Sequence, residues 1–167
     1  MSIATYIKEI GRGKEGARSL SSEQSHDLMS QVLDGRVSDL ELGAFALAMR
    51  IKGESIDELS GFLRAVHERS LQLSASTPVV ILPSYNGARK LPNLTALLAL
   101  LLAQNDIPVL VHGPSRDPSR VTTASVFHDL GLPTALDAAD MSHAWARHEP
   151  VFIATENLCP ALARLLD

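Results

Sequence analysis

The chain has 167 residues, of which 46% are hydrophobic but only 4% aromatic, so its core must be assembled from Leu, Ala, Val and Ile. That composition favours a helix-rich or α/β protein over a β-sandwich. A net charge of −4 argues against a polyanion binder that is basic over its whole surface, and leaves room for a local basic patch.

Residues 1 to 8 lack the basic and apolar regions of a signal peptide. Cys159 is the only cysteine and can form no internal disulfide, so a reducing cytoplasm is the expected location. Ile3, Ile7 and Ile10 recur at helical spacing, which predicts a helix over 2–10. Gly11, Gly13 and Gly16 with Arg12, Lys14 and Arg18 then predict a flexible basic loop. Three capping boxes follow, in which a Ser caps an N–H three residues on and a Glu or Gln reaches back. Ser21 and Gln24 open a helix through Leu28, Met29, Val32 and Leu33 that stops at Gly35. Ser38 and Glu41 open one with Leu40, Ala44, Leu47, Ala48 and Ile51 on its main stripe, ending at Gly53. Ser55 and Glu58 open one carrying Leu59, Phe62, Leu63 and Val66. The second of these is apolar nearly all round, since Leu42, Phe45, Ala46 and Met49 lie off the stripe. It must be covered on more than one side, by a second chain, by another part of the fold, or as the centre of a self-sufficient bundle.

The composition shifts near residue 75, which separates a helical domain, 1–75, from a partial α/β domain, 76–167. The β-branched run from Val79 to Leu82 predicts a strand buried on both faces of a parallel sheet. Helix 93–104, strand 108–113, helix 122–130, helix 140–148, strand 151–154 and helix 157–166 complete the pattern. The Leu94–Ala103 run is about half the ~20 residues needed to span a membrane, so it reads as a buried helix and no membrane association is expected. Three strands make a thin sheet, and the chain reads as the first half of a larger protein.

The candidate ligand groups collect at strand ends, where an open α/β sheet binds anions against helix N-termini. The first loop offers Ser84, Tyr85, Asn86, Gly87, Arg89 and Lys90, with Asn93 and Thr95 at the next helix start. The second offers His112, Gly113, Ser115, Arg116, Ser119 and Arg120, with Thr122 and Thr123 at the helix start. Residues 83–120 hold four cations against two carboxylates, whereas 121–167 hold two against six, so the rim of the loops is expected to be locally positive. Arg89 and Lys90 could equally be solvated loop charges, His112 a structural histidine and Tyr85 a packed aromatic, although an aromatic beside two cations suits base stacking. Trp145 reads as core. His26, His67, His128, His143 and His148 show no metal-ligand spacing, and there is no nucleophile–base pair, Walker loop or dinucleotide fingerprint.

The order of these features resembles the anthranilate phosphoribosyltransferase family of glycosyltransferase family 3. The resemblance lies in Ala44–Ser55 with its Arg50-x-Lys52-Gly53-Glu54 ending, in Asn93-Leu94-Thr95 and in Val111-His112-Gly113. It implies a nucleoside phosphorylase-like fold with dimerisation through the helical domain. In catalytic members the first loop reads Gly-Thr-Gly-Gly-Asp and wraps the pyrophosphate of phosphoribosyl pyrophosphate. Here Pro83-Ser84-Tyr85-Asn86-Gly87 occupies that place, Val111 replaces the Lys of Lys-His-Gly, and Val121–Ser125 replaces Ser-Gly-Ser-Ala-Asp. The Tyr85-Asn86-Gly87-Ala88-Arg89-Lys90 loop matches a sister branch without the biosynthetic activity, homodimeric and able to bind nucleic acid without sequence preference. That implies nucleic-acid contacts through Arg89 and Lys90, with no cofactor, and the loop cations Arg116 and Arg120 and the helix N-termini are expected to add to them. The alternatives are a phosphoribosyltransferase of altered substrate, which would use phosphoribosyl pyrophosphate and magnesium, and a fragment whose helical domain only dimerises.

Overall fold

The computed structural model describes residues 2–85, 87 and 90–166, and of Lys14 and Leu166 only the backbone. They form two compact units that divide between Ser70 and Leu71. The segment after Ser70 belongs with the second unit for a physical reason. The Leu71 N–H donates to Leu158 O at 2.7 Å, and Leu73 packs onto that unit's core.

The first unit is helical: α1 Ala4–Ile10, α2 Gly13–Gly16, α3 Ser22–Leu33, α4 Asp39–Lys52 and α5 Ile56–Glu68. All three capping boxes are formed with both of their arms. The glycine-rich basic segment contains a single helical turn, α2, instead of an irregular loop throughout. Helices α3 and α5 pack with almost no gap. A Cβ on Gly61 would lie 2.7 Å from His26 N and from Ser25 Cβ, so only glycine permits the crossing. Ser25 and Ala65, on the facing stripes, are fully buried.

Of the stripe that the sequence assigns to α4 only Ala48 is buried and Ala44 partly so. Phe45, Ala48 and Met49 are buried, whereas Leu40 and Leu47 are 84% and 63% exposed and Ile51 is half exposed. Similarly, α5 buries Glu58, Gly61 and Ala65 and leaves Leu59 and Leu63 outside. On α5 hydropathy does not decide which face turns inward; Gly61 and Ala65, which allow close packing on α3, do.

One carboxylate organises this unit. Glu58 is fully buried and accepts from the Leu20 N–H at 2.9 Å, the Ser55 N–H at 2.8 Å and Lys52 Nζ at 2.7 Å, while Lys52 also donates to Gly53 O at 2.7 Å. Burial pushes the Glu58 carboxyl up, but the Lys52 ammonium and the two N–H groups outweigh it and hold the pKa below the ordinary 4.5.

The second unit carries a parallel sheet in the order β1-β2-β4-β3, with β1 Val80–Pro83, β2 Val109–Gly113, β3 Thr134–Ala135 and β4 Val151–Ala154. Its helices are α6 Thr95–Ala103, α7 Thr123–Asp129, α8 Ala138–Ala146, α9 Thr155–Leu158 and α10 Pro160–Leu166. The fold class is therefore an N-terminal helical bundle followed by a parallel α/β region, as the sequence predicts. Ala96, Ala99, Val109, Val111, Phe127 and Phe152 fill one side of the sheet, and Leu110, Ala135, Met141, Ala144, Val151 and Ile153 the other. Trp145 packs against the second cluster and donates from Nε1 to Val109 O at 3.0 Å. The two-residue β3 escapes the sequence pattern because it lacks a β-branched run. Contrary to expectation, β1 is not buried on both faces: it is an edge strand and its Ile81 is 59% exposed. The helix predicted over 140–148 begins earlier, because Asp137 caps it by accepting from the Ala139 and Asp140 N–H groups. The last predicted helix is divided at Cys159, with Pro160 opening a second segment where its missing N–H costs nothing.

Replacing Glu58 by Gln leaves the buried Lys52 ammonium unpaired and should cost about 3–5 kcal/mol at pH 7. Because the folded pKa is depressed, the contribution is present above about 4.5 and lost as pH falls through the folded value. The gap between wild type and variant in denaturant titrations followed by helical circular dichroism should therefore shrink in acid. Gly61→Ala, which drives a methyl into α3, should cost about 1–3 kcal/mol in the same titration.

Candidate functional site

The parallel register brings three strand ends together. Pro83 lies opposite His112, His112 opposite Ile153, and Gly113 opposite Ala154. The ladder continues one residue past β1, with the Ser84 N–H donating to His112 O at 2.7 Å. A side chain at Gly113 would collide with the Ser84 carbonyl, so glycine is required for this approach.

Polar side chains then tie the loops to the helix starts. Ser84 Oγ lies 2.5 Å from Thr123 Oγ1, at the start of α7. Asn93 Nδ2 donates to Thr123 Oγ1 at 2.9 Å and Val121 O at 3.3 Å, while its Oδ1 accepts from the Thr95 N–H at 3.3 Å, at the start of α6. Gly87, at φ +41°, nestles against the second loop, where a Cβ would come 2.9 Å from Val121 O and 3.0 Å from Arg120 Cβ. A cleft of about 510 Å³ opens beside this network, lined by Pro83, Ser84, Tyr85, Gly87, Pro92, Asn93, Leu94 and Thr95. None of those lining residues is acidic.

Tyr85 closes the strand ends over His112. Their rings meet edge to face at 5.4 Å and 81°, and the phenol oxygen is hydrogen-bonded to Nδ1 at 3.1 Å. Burial pushes the His112 pKa below 6.5, so the imidazole is neutral at pH 7. Burial also raises the Tyr85 phenol above 10.0, partly offset by the Thr155 hydroxyl. The pair is a neutral, half-buried platform and supplies no charge.

Of the residues the sequence singles out, Ser84, Tyr85, Gly87, Asn93, Thr95 and His112 converge here. Lys90 is exposed on the same loop, and Asn86 and Arg89 lie outside the described residues. Arg116 and Arg120 sit in the second loop, but not on a purely positive rim. Ser115 donates to Glu156 Oε1 from Oγ at 2.5 Å and from N–H at 3.3 Å. Burial pushes the Glu156 carboxyl up, and the Ser115 bonds together with the Arg116 charge bring it below the usual range. Asp117 is held low by the Ser119 N–H, with Arg120 contributing. The separation of acidic charge from the loops that residue counting suggests is thus broken by Glu156, which the β4 end delivers to Ser115.

Thr123, which the sequence places at the second helix start, joins both loops. One residue matters that the loop-by-loop reading does not select: Thr155, immediately after β4, is fully buried and its hydroxyl acts on the Tyr85 phenol. The strand-end rule extended to β4 would have found Thr155. Among the described residues no group of three His, Cys, Asp or Glu is placed to hold a metal ion, and no helix is long and apolar enough to cross a membrane.

Comparison with known proteins places this arrangement. Residues 4–70 match the family described as glycosyl transferase family, helical bundle domain. The anthranilate phosphoribosyltransferase of Pelotomaculum thermopropionicum is 30% identical over 137 residues, 81% of this chain and 39% of that enzyme. The crystal structure of anthranilate phosphoribosyltransferase (TrpD) from Thermus thermophilus matches with a TM-score of 0.75 over 93% of this chain and 47% of that one, at 22% identity, and so shares its fold. The chain is related to the phosphoribosyltransferases of glycosyltransferase family 3. The uncharacterized protein YbiB of Escherichia coli strain K12 is more similar, 43% identical over 169 residues that take in 99% of this chain and 53% of that protein. The chain spans about half or less of the length of these relatives.

The Tyr85–His112 contact can be checked by following the imidazole resonances against pH. His112 should titrate below 6.5, and Tyr85→Ala, which opens the ring to water, should move the midpoint up toward that value. A wild-type midpoint at or above 6.5 would contradict the packing described.

Proposed function

We propose that the chain is a non-catalytic relative of the phosphoribosyltransferases that binds nucleic acid, DNA or RNA, without sequence preference. The observation that carries this reading is the position of Tyr85. A phosphate wrapped by backbone N–H groups needs a bare, glycine-built loop at the strand end, and here an aromatic ring packed on His112 fills that place. The ring remains 38% exposed beside the cleft, where a base can stack on it. Backbone phosphates would meet Lys90 and Arg89, the hydroxyl of Ser84, the amide of Asn93 and the N-terminal turn of α6 at Thr95. Arg116 and Arg120, whose charges are shared with Glu156 and Asp117, contribute less to a salt-dependent term.

In the same reading the protein is a cytoplasmic homodimer. The exposed Leu40, Leu47 and Ile51 of α4 and the neighbouring groove of about 260 Å³, which Ile7 and Ile10 also line, form an apolar face that a second copy would cover. Leu47→Glu should then shift the sedimentation coefficient from dimer to monomer.

Fluorescence anisotropy with a labelled oligonucleotide across a salt series tests the nucleic-acid reading. Each phosphate contact adds about 0.9 to the slope of log affinity against log salt for duplex and about 0.7 for single strands. Combining Arg89→Ala with Lys90→Ala should reduce the slope by roughly two such contacts, and Tyr85→Ala should weaken single-strand binding by about 1–3 kcal/mol. An unchanged slope sinks the assignment. The alternative, a phosphoribosyltransferase of altered substrate, draws on the retained cleft and on Asn93 at the α6 start. Saturable heat of binding with phosphoribosyl pyrophosphate and magnesium would favour it.

A further inference from the structure

Two Ser-Arg steps stand in the loop after β2, Ser115-Arg116 and Ser119-Arg120, and each serine already holds a carboxylate of this chain. Ser119 donates to Asp117 Oδ1 from its N–H at 2.8 Å and from Oγ at 3.1 Å, and the Arg120 charge acts on the same group. Ser115 donates to Glu156 Oε1 in the same two ways, with the Arg116 charge acting on it. A backbone N–H, a hydroxyl and a neighbouring guanidinium are also the donors that hold a phosphate oxygen.

The two carboxylates differ in origin. Asp117 lies two residues before Ser119 and closes the loop's own turn. Glu156 is 41 residues from Ser115 and shapes no local turn. It arrives because Gly113 and Ala154 are register partners and each of the two residues stands two places beyond its strand. Glu156 and Arg116 are both exposed, so the contact is open to exchange with an anion from solution. The loop also borders the cleft, since a Cβ on Gly87 would come 3.0 Å from Arg120 Cβ.

We propose that Glu156 is an internal competitor for nucleic-acid phosphate: its carboxylate occupies the Ser115 donors and masks Arg116, so a strand reaching past the cleft engages this loop only by displacing it. The inference rests on the nucleic-acid reading and adds a restraint to it. Arg116 counts for a fraction of a phosphate contact while the carboxylate is in place, and for a full one once that charge is gone. A carboxylate that only braced the loop would act the other way, because its loss would loosen the Ser115 end and weaken binding.

The test is a cycle of Glu156→Gln, Arg116→Ala and the double variant, read by fluorescence anisotropy of a labelled single-stranded oligonucleotide across a salt series. Glutamine keeps an acceptor for the Ser115 donors and removes the charge. Glu156→Gln should tighten binding about threefold to fivefold at low salt. Arg116→Ala should lower the slope of log affinity against log salt by about 0.7, one single-strand contact, in the Glu156→Gln protein, and by clearly less in the wild type. Weaker binding by Glu156→Gln overturns the inference. So does tighter binding with the same Arg116 decrement in both backgrounds, which is the result of a mere loss of negative charge. Either result leaves the nucleic-acid reading standing, provided the wild-type slope still responds to Arg89→Ala with Lys90→Ala. Absence of binding by wild type and Glu156→Gln alike overturns that reading and the inference with it.

Discussion

The approach of the β1 and β2 ends governs the candidate site. Ser84 extends the parallel ladder onto the His112 carbonyl, and that is possible only because Gly113 has no side chain to strike the Ser84 carbonyl. Once the two strands are this close, Tyr85 has little choice of position. Its ring meets His112 edge to face, its hydroxyl reaches Nδ1, and the Ser84 hydroxyl is delivered to Thr123. Asn93 then serves both sides of the loop, accepting from the Thr95 N–H with its oxygen and holding Thr123 and Val121 with its nitrogen. Two bare backbone positions, Gly113 and Gly87, thus set the geometry, and the polar side chains fix it.

The helical unit follows the same logic with a charge in place of a bare backbone. Glu58 is at once the reciprocal arm of the α5 capping box, the acceptor for Leu20 and the counter-ion of Lys52. A buried pair of this kind adds little over an apolar pair of equal shape, but breaking it is costly. It acts as a registration device, fixing where α4 ends, where α5 begins and where the chain before α3 passes.

How much of this is legible in the sequence depends on how local the signal is. The capping boxes at Ser21, Ser38 and Ser55 involve residues three apart, and each formed as written. The ligand loops are legible because strands β1 and β2 end in them, and Ser84, Tyr85, Asn93 and His112 converge there. What was not legible was long-range. The inward face of α5 and of α6 is chosen by the small residues against which the neighbours close-pack, so Leu63 and Leu97 point outward although hydropathy would bury them. Edge status of β1 depends on how many strands the sheet has, which its Val and Ile content does not encode. The approach of Glu156 to Ser115 joins residues 41 apart and left no trace in a count of loop charges.

In the proposed function Tyr85, packed on His112, offers a stacking surface at the strand end where a bare loop would cradle a phosphate. Ring resonances of Tyr85 and His112 recorded during parallel titrations with a short single-stranded oligonucleotide and with phosphoribosyl pyrophosphate plus magnesium test it most directly. Progressive upfield shifts of the Tyr85 ring are expected with the oligonucleotide, and no change with phosphoribosyl pyrophosphate. Saturable shifts with phosphoribosyl pyrophosphate, and none with the oligonucleotide, would contradict it.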